Sequence, residues 1–203
     1  MKDLFGIDVS RETIDRLSQF EELVLKWTPR INLIAKSTQS DVWHRHIIDS
    51  AQLFQYAPKH VKTWLDIGSG GGFPGIVMAI MSVGTGQGTH FSFVESDQRK
   101  ATFLRTAVRE LQLKVTVHSE RIEATPPQNS DVITARALKS VSELMPFLDR
   151  HLAEGGVAIL PKGRTVSEEI PLARQNWRFD MTEHASITDA DARILIVKDI
   201  ARD

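Results

Sequence analysis

The stretch Trp64-Leu65-Asp66-Ile67-Gly68-Ser69-Gly70-Gly71-Gly72-Phe73-Pro74-Gly75 constrains this chain more than any other. An apolar run enters a glycine-crowded turn, and an apolar helical segment follows. Glycine costs conformational entropy on folding. It is used this densely where the backbone takes positive φ, or where a ligand must approach with no Cβ in the way. A strand, a glycine turn and a helix in that order belong to open α/β sheets, which bind nucleotides at the carboxyl ends of their strands.

The rest of the chain agrees. From Thr63 onward short apolar runs alternate with helical segments, the signature of a parallel sheet with crossover helices. Strands are expected at 63–67, 90–95, 114–118, 131–135 and 156–160, and helices at 75–81, 98–111 and 140–151. Two extended segments, 178–182 and 193–199, read as a hairpin completing the sheet. Residues 1–60 read as a helical extension ahead of a domain over 61–203. Ser10 is its first N-cap, followed by Ile14, Leu17, Phe20, Leu23, Val24 and Trp27 at helical spacing, and Pro29 is expected to end that helix. A second amphipathic stretch covers 41–56.

There is no cysteine, which excludes disulfides, Cys-ligated metals and a thiolate nucleophile. No apolar segment follows Met1 as a signal peptide would require, and the longest apolar stretch, 76–81, is too short to span a bilayer. A cytoplasmic, membrane-free protein is expected, acting as a monomer. The pair His44 and His46 lacks the acidic partners of a metal site, so no metal is expected.

Two cofactors compete for the glycine turn. Gly70, Gly72 and Gly75 satisfy the dinucleotide fingerprint G-x-G-x-x-G, which alone is weak and would suit a nicotinamide-dependent oxidoreductase. Gly68, Gly70 and Gly72, preceded by Asp66, resemble instead motif I of the class I S-adenosylmethionine (SAM) methyltransferases. A carboxylate beside the loop repels a pyrophosphate but accepts hydrogen bonds from the amino end of a methionine, directly or through water. Asp66 could alternatively cap the next helix. Glu95 ends the second strand, 23 residues after Gly72, where such sheets hydrogen-bond a ribose diol. Ile122 beside Glu123 after the third strand suits adenine. Ser96 and Asp97 read as the cap and first turn of the following helix.

Absent motifs narrow the methyl acceptor. Pyrimidine C5 methylation needs a cysteine, and the only Pro-Pro pair, Pro126-Pro127, precedes the fourth strand instead of following it, so the common amino-methylating motif is missing. A ring nitrogen such as guanine N7 already offers a lone pair and needs positioning more than a base. Arg136, at the ligand edge of the fourth strand, suits guanine O6 or a phosphate.

These residues resemble the glucose-inhibited division protein B family, bacterial 16S ribosomal RNA guanine-N7 methyltransferases. The resemblance spans about residues 25–165. It rests on Asn32-Leu33-Ile34, Arg45-His46-Ile47-Ile48-Asp49-Ser50, the glycine stretch with Phe73-Pro74-Gly75, Lys100-Ala101-Thr102-Phe103-Leu104, Thr134-Ala135-Arg136-Ala137 and Pro161-Lys162-Gly163. It implies a Rossmann-like class I SAM-dependent methyltransferase fold, with a mostly parallel seven-stranded sheet, a C-terminal antiparallel hairpin and the helical extension. It implies SAM contacts at Gly68, Phe73, Ile122, Glu123 and Arg136, with Glu95 near the ribose, and the reading of the glycine turn adds Asp66, Gly70 and Gly72 as cofactor contacts. The target it implies is 16S rRNA, in the small subunit or an assembly intermediate. Arg136, His46 and Lys162 are candidate positioning groups, with no certain catalytic residue. Asn32, Asp49, Ser50, Lys100, Arg105, Arg136, Lys139 and Lys162 are candidate substrate contacts. The last 40 residues or so match no motif.

Three other functions stay open from sequence: a SAM methyltransferase for another RNA, a protein or a small molecule; the oxidoreductase; and an RNA-binding factor without turnover. A net charge of −1 at first argues against any nucleic-acid partner. The charges are segregated, however. Lys26, Arg30, Lys36 and Arg45 stand against Asp41 alone, and Arg99, Lys100, Arg105, Arg109 and Lys114 against Glu110 alone, while both chain ends are acidic. If the basic stretches converge on the glycine turn, they form a local RNA footprint; otherwise they are solvated helix faces.

Overall fold

A computed structural model describes residues 2–4, 7–86 and 88–203. Two short strands, β1 (Lys2–Leu4) and β2 (Ile7–Val9), pair antiparallel where a helix was expected. Helix α1 (Arg11–Ile31) then starts as anticipated, the Ser10 hydroxyl accepting from the Thr13 amide at 3.1 Å. Pro29 lies inside its last turn and does not end it. The stop is Asn32, which takes the left-handed conformation (φ 48°) and returns its amide to the Thr28 carbonyl.

The stretch 41–56 is helical but not of one pitch. A 3₁₀ segment (Lys36–Asp41) leads into a π-helical turn (Trp43–Ile48), one α-turn, α2 (Asp49–Ala51), and a second 3₁₀ segment (Gln52–Tyr56). Such widened turns are rare and concentrate at functional sites. This one carries His46 and leads directly to Asp49.

The main sheet contains β3 (Thr63–Ile67), β4 (His90–Val94), β5 (Val115–His118), β6 (Ser130–Ala135), β7 (Leu152–Lys162), β8 (Trp177–Ala185) and β9 (Arg193–Arg202). Its spatial order is β5-β4-β3-β6-β7-β9-β8. The first five in that order are parallel, and β9 pairs antiparallel with both β7 and β8. The order reverses at β3, between β4 and β6, which opens the crevice where ligands bind in such sheets. Crossovers are α3 (Gly75–Thr85), α4 (Gln98–Glu110) and α5 (Val141–His151). Asp97, not Ser96, caps α4, accepting from the Arg99 and Lys100 amides. A further helix, α6 (Val166–Ala173), was not anticipated; it covers α5 and carries Pro171 internally.

Two cores flank the sheet. On one face α1 and the π-turn pack with α3 and α4 through Leu17, Phe20, Val24, Ile47, Ile76, Ile80 and Phe103. On the other, Leu65, Ile67 and Ile133 meet α5 and α6 through Val141, Leu144, Leu148 and Val166. Full burial of each such Leu, Ile or Phe contributes roughly 1.5–3 kcal/mol. From Val9 to Leu53, the helical extension thus shares a single core with α3 and α4.

Candidate active site

The glycine turn lies at the crevice. Gly68 (φ 69°) and Gly70 (φ 53°) are left-handed. A Cβ on Gly70 would project into open space, its nearest neighbour the Gly68 carbonyl oxygen at 3.7 Å, so this position keeps the backbone bare toward the cavity. Gly72 and Gly71 have other reasons. A Cβ on Gly72 would lie 2.7 Å from the Ile76 Cδ1 and 3.0 Å from the Phe20 ring, and one on Gly71 2.8 Å from the Leu33 carbonyl. Those two glycines let the helical extension pack onto the turn.

A cavity of about 370 Å³ opens here. Of the expected cofactor contacts, Gly68, Gly70, Phe73, Glu95, Ile122, Glu123 and Arg136 line it. Glu95 is nearly buried; it accepts from the Gly70 amide at 2.8 Å and from the Asp97 amide at 2.7 Å. A carboxylate has about four acceptor positions. Glu95 therefore holds the glycine turn in place with capacity left for a diol.

Asp66 and Gly72 do not line the cavity, which departs from expectation. Strand alternation explains Asp66. On β3, Leu65 and Ile67 face α5, so Trp64 and Asp66 face α3. Asp66 is fully buried beneath the turn, accepting from the Thr134 hydroxyl at 2.6 Å, while the Trp64 indole donates to the same hydroxyl at 3.1 Å. Its Oδ2 sits against Gly75, at the start of α3, without a hydrogen bond of normal geometry. Burial pushes its carboxyl up to about 6, against the lowering effects of Thr134, Ser69, the Gly75 amide and Arg136. Asp66 thus supports the helix start and the turn from below.

Arg136, just beyond β6, borders this cavity and a second one of about 330 Å³. Its Nη1 donates to Asp49 Oδ2 at 3.0 Å, and its Nη2 donates to His46 Nδ1. Its guanidinium also lies 5.5 Å from the centre of the Phe73 ring, against which His46 packs as well. Guanidinium has only donors, so Nδ1 of His46 must be unprotonated. The proton is then on Nε2, which donates to the Thr38 hydroxyl at 2.8 Å, and that hydroxyl in turn donates to the Ala35 carbonyl at 2.9 Å. Burial, with the cations Arg136 and Arg45, holds His46 down to about 4, neutral at physiological pH.

Two buried groups therefore oppose each other in acid. His46 is depressed when folded, so its contribution is present above about 6.5 and lost as pH falls toward 4. Asp66 is raised, so its contribution is present in acid and lost as pH rises through about 6. Asp66→Asn removes the second effect. Its melting temperature should fall between pH 6.5 and 4.5 about several degrees further than wild type, measured by a melting series across pH. Parallel curves would refute this assignment.

The candidate substrate residues divide. Lys100 and Lys139 line the first cavity; Asp49 and Lys162 line the second. Lys162 is engaged, pairing with Glu169 at 2.6 Å and donating to the Lys139 carbonyl at 2.8 Å, which ties the loop after β6 to α6. Asn32 is the exposed cap of α1, Ser50 is fully buried, and Arg105 is exposed on α4, donating to the Val117 carbonyl. None of these three lines either cavity. Sequence reading missed Thr38, Gln52 and Thr188 and named Thr134 only within the Arg136 motif; Gln52 and Thr188 lie 136 residues apart and only the fold joins them. Among the described residues no cluster of three or more His, Asp or Glu is placed to hold a metal, and no helix is long and apolar enough to cross a membrane.

The strand order, the reversal at β3 and the glycine turn facing Glu95 define a class I SAM-dependent methyltransferase. Solved structures share the fold: M. jannaschii TYW2 in complex with AdoMet (TM-score 0.59, 12% identity, 78% of this chain and 76% of that one) and the ribosomal protein L11 methylase from Lactobacillus delbrueckii subsp. bulgaricus (TM-score 0.57, 20% identity, 79% of each). Residues 13–196 match the family model GidB, rRNA small subunit methyltransferase G, and the chain belongs to that family. Ribosomal RNA small subunit methyltransferase G of Ruegeria sp. (strain TM1040) is 48% identical over 196 residues, covering 97% of this chain and 95% of the relative. That of Cereibacter sphaeroides (strain ATCC 17029 / ATH 2.4.9) is 50% identical over 198 residues, covering 98% and 96%.

Proposed function

We propose that this enzyme transfers the methyl group of SAM to N7 of a guanine in 16S rRNA of the small subunit. The observation that carries this reading is the state of His46. This imidazole borders both cavities, yet both its nitrogens are engaged and burial keeps it neutral and weakly basic. It is unsuited to abstract a substrate proton, and N7 has none to lose.

The cavity residues fit the cofactor. Gly70 presents bare backbone, Glu95 has free acceptor capacity for ribose hydroxyls, and Ile122 with Glu123 offers an apolar face beside an acid for adenine. Bound there, SAM supplies an electrophilic methyl group on its sulfonium. Arg136, fixed by Asp49 and His46, orients the acceptor base or its phosphate and excludes water at the boundary between the cavities. Lys100, Arg121 and Lys139 add positive charge to the cavity wall. Trp27 packs on Phe103, ring centres 5.7 Å apart, so α1, with exposed Lys26 and Arg30, lies beside α4, with Arg99 and Lys100. That grouping supports a local RNA footprint on a near-neutral protein.

The test is methylation of undermethylated small subunits, their assembly intermediates and free 16S rRNA with methyl-labelled SAM, followed by nucleoside analysis. Label is expected in N7-methylguanine at one position. A folded, SAM-binding preparation that labels none of these substrates would overturn the rRNA reading and favour another RNA, a protein or a small molecule.

A further inference from the structure

The tip of the C-terminal hairpin carries no recognisable motif, yet it reaches the site. Asp49 holds Arg136 through Oδ2; its other oxygen, Oδ1, accepts from the Thr188 hydroxyl at 2.6 Å. Gln52, 2% exposed, joins the same group. Its side-chain nitrogen lies 3.1 Å from Asp49 Oδ1, 3.0 Å from the Ser186 hydroxyl and 3.3 Å from the Thr188 hydroxyl. Its side-chain oxygen accepts from the Ile187 amide at 2.9 Å. Arg45 and Asp189 add an outer ion pair at 3.9 Å.

These bonds run one way. Asp49 is a pure acceptor when ionised, and a carboxylate held by one oxygen can still rotate. With only Arg136 on Oδ2, the carboxylate could pivot about that contact and leave the guanidinium anchored firmly only at Nη2, by His46. Thr188 and Gln52 fix Oδ1, which fixes the plane of the carboxylate and so, with His46 on Nη2, the direction of the Arg136 fork. No second contact from the hairpin to Arg136 is needed for this.

We infer that Thr188, seated by Gln52, is a positioning residue for methyl transfer: through Asp49 it sets the orientation of the Arg136 guanidinium. The hairpin tip is then part of the catalytic apparatus, acting from about 50 residues further along the chain than Arg136. This rests on the reading of Arg136 as a group that touches substrate or cofactor.

The test uses the full chain with Thr188→Val, which keeps the shape and removes the donor, Thr188→Ser, which keeps the donor, and Arg136→Ala. Single-turnover methylation of small subunits is measured as a function of SAM and subunit concentration, alongside melting temperature. Thr188→Val should lower the rate at double saturation about tenfold, the scale of a lost hydrogen bond to a charged group. Its melting temperature should stay within about 3 °C of wild type, and Thr188→Ser should restore the rate. A saturated rate within twofold of wild type overturns the inference. So does a loss removed by saturating either substrate, or one that Ser does not restore. If Arg136→Ala itself methylates normally, the reading of Arg136 fails, whatever Thr188→Val does.

Discussion

Arg136→Ala should lower methyl transfer by two orders of magnitude or more while the protein still folds. The guanidinium borders both cavities, as His46 does, and its side chain is 17% exposed between them. A reaction that relies on placement responds steeply to the loss of a placing group, and two decades of rate correspond to about 2.7 kcal/mol of transition-state stabilisation. Breaking a buried ion pair ordinarily costs about 3–5 kcal/mol, because the surviving charge is stranded. Here Asp49 keeps its bonds from Thr188 and Gln52, and the pair is not fully buried, so the cost to folding should be smaller. Arg136→Lys separates the effects. It keeps the charge but lacks the fork that reaches Asp49 and His46 together, so stability should largely return while most of the rate does not. The measurements are single-turnover rate, SAM affinity by calorimetry and melting temperature. Collapse of the fold in both variants would make Arg136 structural; a rate within a few-fold of wild type would remove it from the mechanism.

The elements legible in the sequence are those with local causes. Strand β3 ends where the glycines begin, and the apolar runs that became β4, β5 and β6 are short and bounded by turns, so their positions differ from expectation by no more than one residue at either end. Glu95 was legible because it ends a strand at a fixed interval from the turn. Asp66 was legible as important but misplaced. The motif names the residue, whereas the pleat decides which face its carboxylate takes, and it took the face under α3. The irregular pitch across 36–56 was not legible: Ile47 and Ile48 pack into the core there and His46 and Asp49 bond Arg136, long-range contacts that leave no local signal. Thr188 was least legible of all. A threonine in a polar loop has no local signal, and its role exists only because β8 and β9 return the chain to the second 3₁₀ segment and Asp49.

Gly70→Val should abolish SAM binding and leave the rest of the domain folded. Two effects act together. The residue has φ 53°, a region that costs a β-branched side chain about 1–3 kcal/mol, and relief by shifting the turn would pull its amide from Glu95. If the backbone instead stays in place, the valine methyl groups enter the cavity, since nothing of the protein itself occupies that space. Either route removes the bare backbone or the Glu95 geometry on which a ribose contact depends. Gly70→Ala should fall between, carrying the strain with little of the bulk. The same substitution at Gly72 should behave differently. There a Cβ strikes Ile76 and Phe20, inside the core that joins the helical extension to α3, so the main loss should be stability, with SAM affinity falling as a consequence. Calorimetric titration with SAM and thermal melting distinguish the two. Gly70→Val should melt within about 5 °C of wild type with at least a hundredfold weaker SAM binding, and Gly72→Val should melt well below both. Unchanged SAM affinity in Gly70→Val would place the cofactor elsewhere, and with it the assignment of every residue around this turn.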